Sequence, residues 1–219
     1  MTVSEQWQAA CQFWPAGSHV RYRHSMPTLR LEAFSDAVIA IIITIMVLEF
    51  QVPETAEWHA LAELAPVFSI YVLSFIFLAI YWNNHHHLMH VTQSVGGGVL
   101  WANMHLLFWL SLVPFVTAWM GEHEFAEIPT AMYGVVLLMA AIAYWILVQA
   151  IVAHEGARSK LRAALGGDFK GKLSVAIYAV GIPLAFVNRW IAAGLYVGVA
   201  LWWLVPDRRI EKTVHTEYT

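Results

Sequence analysis

The stretch Arg30–Leu48, RLEAFSDAVIAIIITIMVL, decides the fold because it joins a charged entrance to a long apolar run. Arg30, Glu32 and Asp36 lie in its first seven residues, and no further charge follows before Glu49. An ionised side chain costs about 2.5–3.5 kcal/mol near the centre of a membrane helix and less towards its end, so such groups are normally paired and face protein. The stretch therefore predicts a membrane-spanning helix whose polar corner packs inside a helical bundle.

The composition is that of a membrane protein. Hydrophobic residues make up 59% of the 219 residues and charged residues 12%, against about 25% charged residues in a soluble domain. The single cysteine, Cys11, excludes an internal disulfide framework. Residues 1–29 lack the basic start and apolar run of a cleavable signal peptide, so we interpret them as an N-terminal cytoplasmic tail.

Segments of about 20 apolar residues predict six membrane spans. We expect helices at about 31–50, 61–83, 98–119, 129–153, 173–187 and 190–205. Within 173–205 only Asn188 and Arg189 interrupt the apolar run, so a re-entrant hairpin is the alternative for this stretch. The predicted fold class is all-α integral membrane, with a six-helix domain over 30–206 and a C-terminal cytoplasmic tail over 207–219.

The positive-inside rule predicts the orientation. If the N-terminus is cytoplasmic, only Arg189 among the basic residues falls outside, and both termini lie inside. The residues on the inner side are Arg21, Arg23, Arg30, Arg158, Lys160, Arg162, Lys170, Lys172, Arg208, Arg209 and Lys212. Outer loops carry acidic residues instead, such as Glu54 and Glu122. Because the basic residues follow the inner membrane face, the sequence does not support a nucleic-acid partner.

The first predicted helix has two distinct faces. At about 100° per residue, Ile41, Ile45 and Leu48 form one stripe with Thr44 beside it, and Asp36 lies about 140° from Ile41. One interpretation is that this stripe faces lipid or neighbouring helices. The other is that four symmetry-related stripes surround an axis, where the aliphatic rings would form a constriction that gates ions by dewetting and Thr44 would offer weak oxygen ligands.

The sequence lacks Thr-Val-Gly-Tyr-Gly, the carbonyl filter of ordinary potassium channels. The segment 94–98, SVGGG, does not replace that filter, and no Lys-Ser/Thr follows it to bind a nucleotide phosphate. A channel built from this chain would therefore use another design.

Several blocks resemble one known family. The motif Arg30-x-x-x-Phe34-Ser35-Asp36, followed by its apolar run, is similar to the signature of the transmembrane protein 175 family of potassium channels. The segments YWNNHH at 81–86, SLVPF at 111–115, GEH at 121–123 and PDRR at 206–209 resemble the single-repeat prokaryotic members. The resemblance covers about residues 29–210.

The resemblance implies a homotetramer of six-helix subunits in a bacterial plasma membrane, with a pore lined by the first helix. It implies a cation leak that favours potassium over sodium. The family's hydrophobic constriction falls on Ile41, further rings on Ile45 and Leu48, and the polar layer for selectivity on Thr44. Potassium ions would be the permeant species, no cofactor or metal site is implied, and the partners are further copies of the chain and the lipid bilayer.

A histidine cluster, HHH at 85–87 with His90, leaves three interpretations open. It could bind a metal, form a solvated cap or loop, or join a structural network. The resemblance suggests that His85 or His86, together with Trp82, hydrogen-bonds the Ser35–Asp36 corner and that this network ties Arg30 to Asp36. For two further polar residues in a predicted span, Asn103 and His105, we expect hydrogen bonds between helices.

The sequence gives less support to other classes of protein. No nucleophile lies in a pattern that places it beside a base, so the sequence does not indicate an enzyme. A secondary transporter would need a broken helix or midplane charges, which the pattern does not predict. The alternative to a channel is a non-conducting membrane scaffold or assembly subunit, in which the Arg30/Asp36 corner is only a packing device.

Overall fold

The computed structural model describes residues 28–156, 159, 161 and 169–204. These residues form eight α-helices. They are α1 (Thr28–Leu48), α2 (Trp58–Glu63), α3 (Ala65–Val91), α4 (Gly97–Ser111), α5 (Val113–Glu122), α6 (Glu127–Glu155), α7 (Phe169–Ala185) and α8 (Arg189–Leu204). Both predicted tails, apart from residues 28 and 29, lie outside the described residues, and so do eight of the basic residues. These are Arg21, Arg23, Arg158, Lys160, Arg162, Arg208, Arg209 and Lys212.

Four helical segments of the described chain are long and apolar enough to cross a membrane. They are Thr28–Leu48, Ala65–Val91, Gly97–Glu122 (α4 and α5 together) and Glu127–Glu155. The described parts of α7 and α8 contain 17 and 16 residues, fewer than the about 20 of a typical span. The all-helical, multi-pass character expected from the sequence is therefore observed, and six complete spans remain a prediction.

Two predicted helices differ from the observed ones for identifiable reasons. The second predicted span ends at about 83, but α3 continues to Val91 through the polar segment Asn83–His87, because His85, Leu88 and Met89 on one of its faces are buried. The third predicted span is interrupted at Leu112, which separates α4 from α5. Pro114 occupies the first turn of α5, where its missing N–H is tolerated and its ring prevents an uninterrupted helix.

The bundle is organised around α6, which packs against α4, α5, α7 and α8. Helix α1 lies on the other side of this arrangement, against α3, α4 and α5. Its buried residues are Leu31, Ser35, Ile39, Ile42 and Met46. Their spacing of three or four residues defines a single helical face, so α1 is attached to the bundle along one side only.

Inside the bundle, α8 reaches α6 and α7 through Tyr196. A Cβ on Gly134 of α6 would overlap the Tyr196 hydroxyl, and a Cβ on Gly181 of α7 would lie 2.8 Å from the same ring. Within the described residues the Tyr196 hydroxyl has no hydrogen-bond partner. The glycines therefore act by leaving room for a large side chain at a close helix contact.

We predict that Gly134→Ala destabilises the protein by about 1–3 kcal/mol, because the added methyl group overpacks the contact with Tyr196. Thermal unfolding in detergent measures the effect. Gly194→Ala is the matched control, since no atom of the described residues lies within 4 Å of a Cβ at that position. Adding Tyr196→Phe to Gly134→Ala should recover part of the loss, and a Gly134→Ala protein as stable as the Gly194→Ala protein would contradict this packing argument.

Candidate functional site

The exposed face of α1 carries the residues that the sequence predicted for a pore stripe. Ile41, Ile45 and Leu48 are 57%, 41% and 77% exposed, and Thr44 is exposed among them. The Thr44 hydroxyl donates to the carbonyl oxygen of Ile41 at 2.9 Å, which leaves its oxygen lone pairs available on the outer surface. The protomer thus presents a ridge of branched aliphatic side chains with one polar interruption.

On the opposite face, a buried chain of hydrogen bonds joins α1 to two other helices. The Asn103 amide nitrogen donates to Ser35 Oγ at 2.9 Å, and Asn103 Oδ1 lies 2.8 Å from His85 Nε2. All three side chains are fully buried. Because the amide oxygen is an acceptor, His85 Nε2 carries the proton in this arrangement. Ser35 in turn donates to the carbonyl oxygen of Leu31.

A second set of contacts runs along the edge between α1 and α3. Trp82 Nε1 donates to Asp36 Oδ1 at 3.0 Å, and His86 Nδ1 lies 2.9 Å from Glu32 Oε1. The two partners on each helix are four residues apart and therefore lie on one face of an α-helix. These two contacts link antiparallel helices. They fix the rotation of α1 about its axis and its axial position relative to α3.

The two histidines that the sequence left undecided have different partners. His85 reaches Ser35 only through Asn103, and His86 contacts Glu32. The Asp36 carboxylate is held by Trp82. The role of Glu32 was missed by the sequence analysis, although its spacing of four residues from Asp36 matches the spacing of Trp82 and His86.

Two residues of the motif lie on the exposed side of α1. Among the described residues Arg30 forms no ion pair with Asp36, and Arg30 is exposed. The expected tie between them is therefore wrong within this protomer, because Asp36 points towards α3 while Arg30 lies on the exposed side of α1. Phe34 is also 48% exposed, on the same side as Ile41.

The remaining polar residues show no metal site. Over the described ranges, no group of three or more His, Cys, Asp or Glu side chains is placed to hold a metal ion. His86 stacks against Trp82 and His90, with ring centroids 6.0 and 6.3 Å apart. The hydrogen bonds of Asn103 between helices agree with expectation, whereas His105 accepts from Trp109 of its own helix.

A groove lies beside the exposed stripe, where α4 gives way to α5. Its volume is about 530 Å³. Val38, Ile41 and Ile45 line it from α1, and Ser111, Pro114 and Phe115 line it from the other side. Glu49 also borders the groove near the end of α1. Two residues of the exposed stripe, Ile41 and Ile45, are therefore also groove residues.

Comparison with known proteins identifies clear relatives. Residues 30–114 match the family described as "Endosomal/lysosomal potassium channel TMEM175". A protein of Chryseobacterium sp. named a potassium channel is 54% identical over 185 residues, covering 84% of this chain and 96% of the relative. A potassium channel of Streptomyces collinus is 30% identical over 77% of this chain and 90% of its own length.

A comparison with solved structures also finds a TMEM175 homologue. The crystal structure of a lysosomal potassium-selective channel TMEM175 homologue from Chamaesiphon minutus superposes with a TM-score of 0.72. The two chains are 27% identical, and the match covers 81% of this chain and 96% of the other.

We predict that Asn103→Leu lowers the free energy of unfolding by about 1–3 kcal/mol, because Ser35 and His85 lose their shared partner in a buried position. Thermal unfolding of the purified protein measures the loss. The control is Asn84→Leu, since among the described residues the Asn84 side-chain amide bonds the Ile80 carbonyl of its own helix and no other helix, and its loss should matter less. Equal stabilities of the two variants would show that the buried chain does not hold α1.

Proposed function

Because the chain belongs to the TMEM175 family of potassium channels, we propose that it is a homotetrameric, potassium-selective channel whose pore is lined by α1 and narrowed by aliphatic side chains. The family consists of ion channels rather than enzymes. Potassium is the permeant species in this proposal, and no cofactor is required.

The observation that carries the proposal is the division of α1 into two faces. One face is fixed to the bundle by the Ser35–Asn103–His85 hydrogen bonds and by the two side-chain contacts with α3. The other face presents Ile41, Thr44, Ile45 and Leu48 away from the protomer. A helix held so firmly at its inner end can present a defined ridge to a symmetry axis, which a pore wall requires.

The proposed constriction lies at Ile41, with further rings at Ile45 and Leu48. Narrow rings of branched aliphatic side chains disfavour water, so they oppose ion passage unless the conduit widens or wets. The Thr44 hydroxyl lies between the aliphatic rings and supplies an oxygen to a partly dehydrated cation. Because no acidic side chain occurs between Asp36 and Glu49, selectivity for potassium over sodium would be modest.

In this proposal α7 and α8 complete six spans. They are separated only by residues 186–188, and they pack against each other and against α6. The Asn188 side chain accepts from the Trp190 backbone N–H at 2.9 Å and so caps the start of α8. This antiparallel pair returns the chain to the side from which it came, which supports cytoplasmic termini at both ends in a bacterial plasma membrane.

Potassium flux into liposomes tests the proposed activity. The purified protein should pass potassium down its gradient without a co-substrate and faster than sodium. Thr44→Ala should reduce this preference because the hydroxyl oxygens are lost, whereas Thr44→Ser should retain it. Flux that is absent across several lipid compositions would favour the non-conducting scaffold, and an unchanged ion preference in Thr44→Ala would exclude the proposed role of Thr44.

Ile41→Asn should raise single-channel conductance several-fold, because an amide ring binds water where the isoleucine ring excludes it. Planar-bilayer recording measures the conductance. The matched control is Ile191→Asn, since Ile191 is 49% exposed on α8, away from the stripe. Identical conductance in Ile41→Asn and the parent protein would place the constriction elsewhere.

A further inference from the structure

The outward surface of α7 and α8 is apolar along its length and basic at its ends. The exposed residues of α7 recur at spacings of one to four residues and form a single stripe. They are Phe169, Lys172, Ala176, Ala179, Val180 and Pro183. Those of α8 from residue 191 are apolar without exception: Ile191, Gly194, Val197, Gly198, Leu201, Trp202 and Leu204. Of the charged side chains in residues 169–204, Lys172 is exposed, and Lys170 and Arg189 are half-buried.

Aromatic and basic side chains meet where α7 begins and α8 ends. The rings of Phe169 and Trp202 lie 6.4 Å apart and are 68% and 41% exposed. Lys170 Nζ lies 5.8 Å from the centre of the Trp203 ring. Around α7, Lys172 lies about 60° to one side of Phe169 and Lys170 about 100° to the other. These five residues form an aromatic–basic patch, in which two ammonium groups flank an exposed aromatic pair.

Hydrogen bonds hold the two sides of the patch together. Trp203 Nε1 donates to Ser174 Oγ at 2.9 Å, and Ser174 Oγ donates to the carbonyl oxygen of Lys170 at 2.8 Å. The last turn of α8 is therefore fixed against the first turns of α7. A ligand that binds the patch meets a surface that is already ordered, which lowers the entropic cost of binding.

The positive charge of the patch is not balanced within α7 and α8. Between Asp168 and Asp207 the sequence contains three basic residues and no acidic one. Glu155, at the end of α6, accepts from the backbone N–H of Gln93 at 2.8 Å and so faces the connection between α3 and α4. Lys172 forms no ion pair with any described residue. The patch is therefore complementary to an anion.

We propose that the aromatic–basic patch binds the headgroup of an anionic phospholipid. Lys170 and Lys172 contact its phosphate, since a lysine ammonium group binds phosphate as a point charge. Phe169 and Trp202 lie against the glycerol and the first acyl carbons, at the depth where aromatic side chains collect in membranes.

The surface next to the patch explains why the occupant is a lipid. The apolar stripe of α7 continues from Phe169 through Ala176 and Val180, so an acyl chain attached to the bound headgroup has a surface to lie on. In the proposed orientation this end of the pair is cytoplasmic, and anionic lipids of that leaflet attract lysines near the membrane surface. The binding does not depend on conduction.

Native mass spectrometry of the full chain in detergent tests the site, with phosphatidylglycerol and phosphatidylcholine of the same acyl chains in competition. The parent protein should retain phosphatidylglycerol in preference. Lys172→Gln should lower the ratio of bound phosphatidylglycerol to phosphatidylcholine about five-fold, and Lys170→Gln with Lys172→Gln about twenty-five-fold, because each lysine near the surface contributes about a factor of five. Lys172→Arg should retain the preference, since it keeps the charge.

The matched control is Arg189→Gln. The Arg189 guanidinium lies 5.5 Å from the centre of the Trp190 ring, so this variant removes one cation beside a tryptophan at the opposite end of the helix pair. Because the binding needs the paired lysines, the ratio should change less than two-fold. A parent protein without a preference, or an equal loss in Arg189→Gln and Lys172→Gln, overturns the proposal.

Two other occupants give different results, and either result overturns the proposed lipid site. Displacement of phosphatidylglycerol from the parent protein by inorganic phosphate at the same concentration would indicate a site for a free anion. A changed oligomeric mass of the double variant with an unchanged lipid ratio would indicate that this surface binds another copy of the chain.

Discussion

The position of α1 depends on one buried amide. Asn103 contacts Ser35 of α1 and His85 of α3 at the same time, so a single side chain sets the spacing of three helices. In a membrane interior, where water does not compete for donors and acceptors, an incompletely bonded alternative is disfavoured. The contacts of the half-buried Asp36 with Trp82 and of the half-buried Glu32 with His86 then fix the rotation of α1 about its axis. The aliphatic stripe is exposed because the opposite face is held in this way.

Much of this arrangement follows from the sequence around α1. Periodicity alone separates Ser35 and Asp36 from Ile41, and the structure places these groups on different sides of the helix. The partners of the polar corner could not be derived in the same way, because they come from α3 and α4, more than 40 residues along the chain. Arg30 shows why the sequence does not identify these partners. It is close to Asp36 in sequence, yet the two side chains form no ion pair among the described residues.

Both departures from the predicted helices arise because hydropathy does not report local hydrogen bonding or backbone chemistry. Hydropathy treats the Asn and His residues of 83–87 as a helix end, yet α3 continues because His85 and Asn84 find hydrogen-bond partners within the protein. Conversely, the uniform apolar character of 98–119 hides the interruption at Leu112, which depends on the backbone chemistry of Pro114. Hydropathy indicates which segments are apolar enough to lie in lipid. Side-chain hydrogen bonds and proline determine where a helix ends.

The break at Leu112 has a mechanical consequence. The ten-residue helix α5 follows an interruption of the helix at Leu112, where Pro114 lacks the N–H that would bond the preceding turn. Helix α5 packs against both α1 and α3. A tilt of α5 about Leu112 would therefore shift Phe115 relative to Ile41 and leave the buried Asn103 side chain of α4 in place. The part of the bundle around α5 could therefore move separately from the part that contains Asn103.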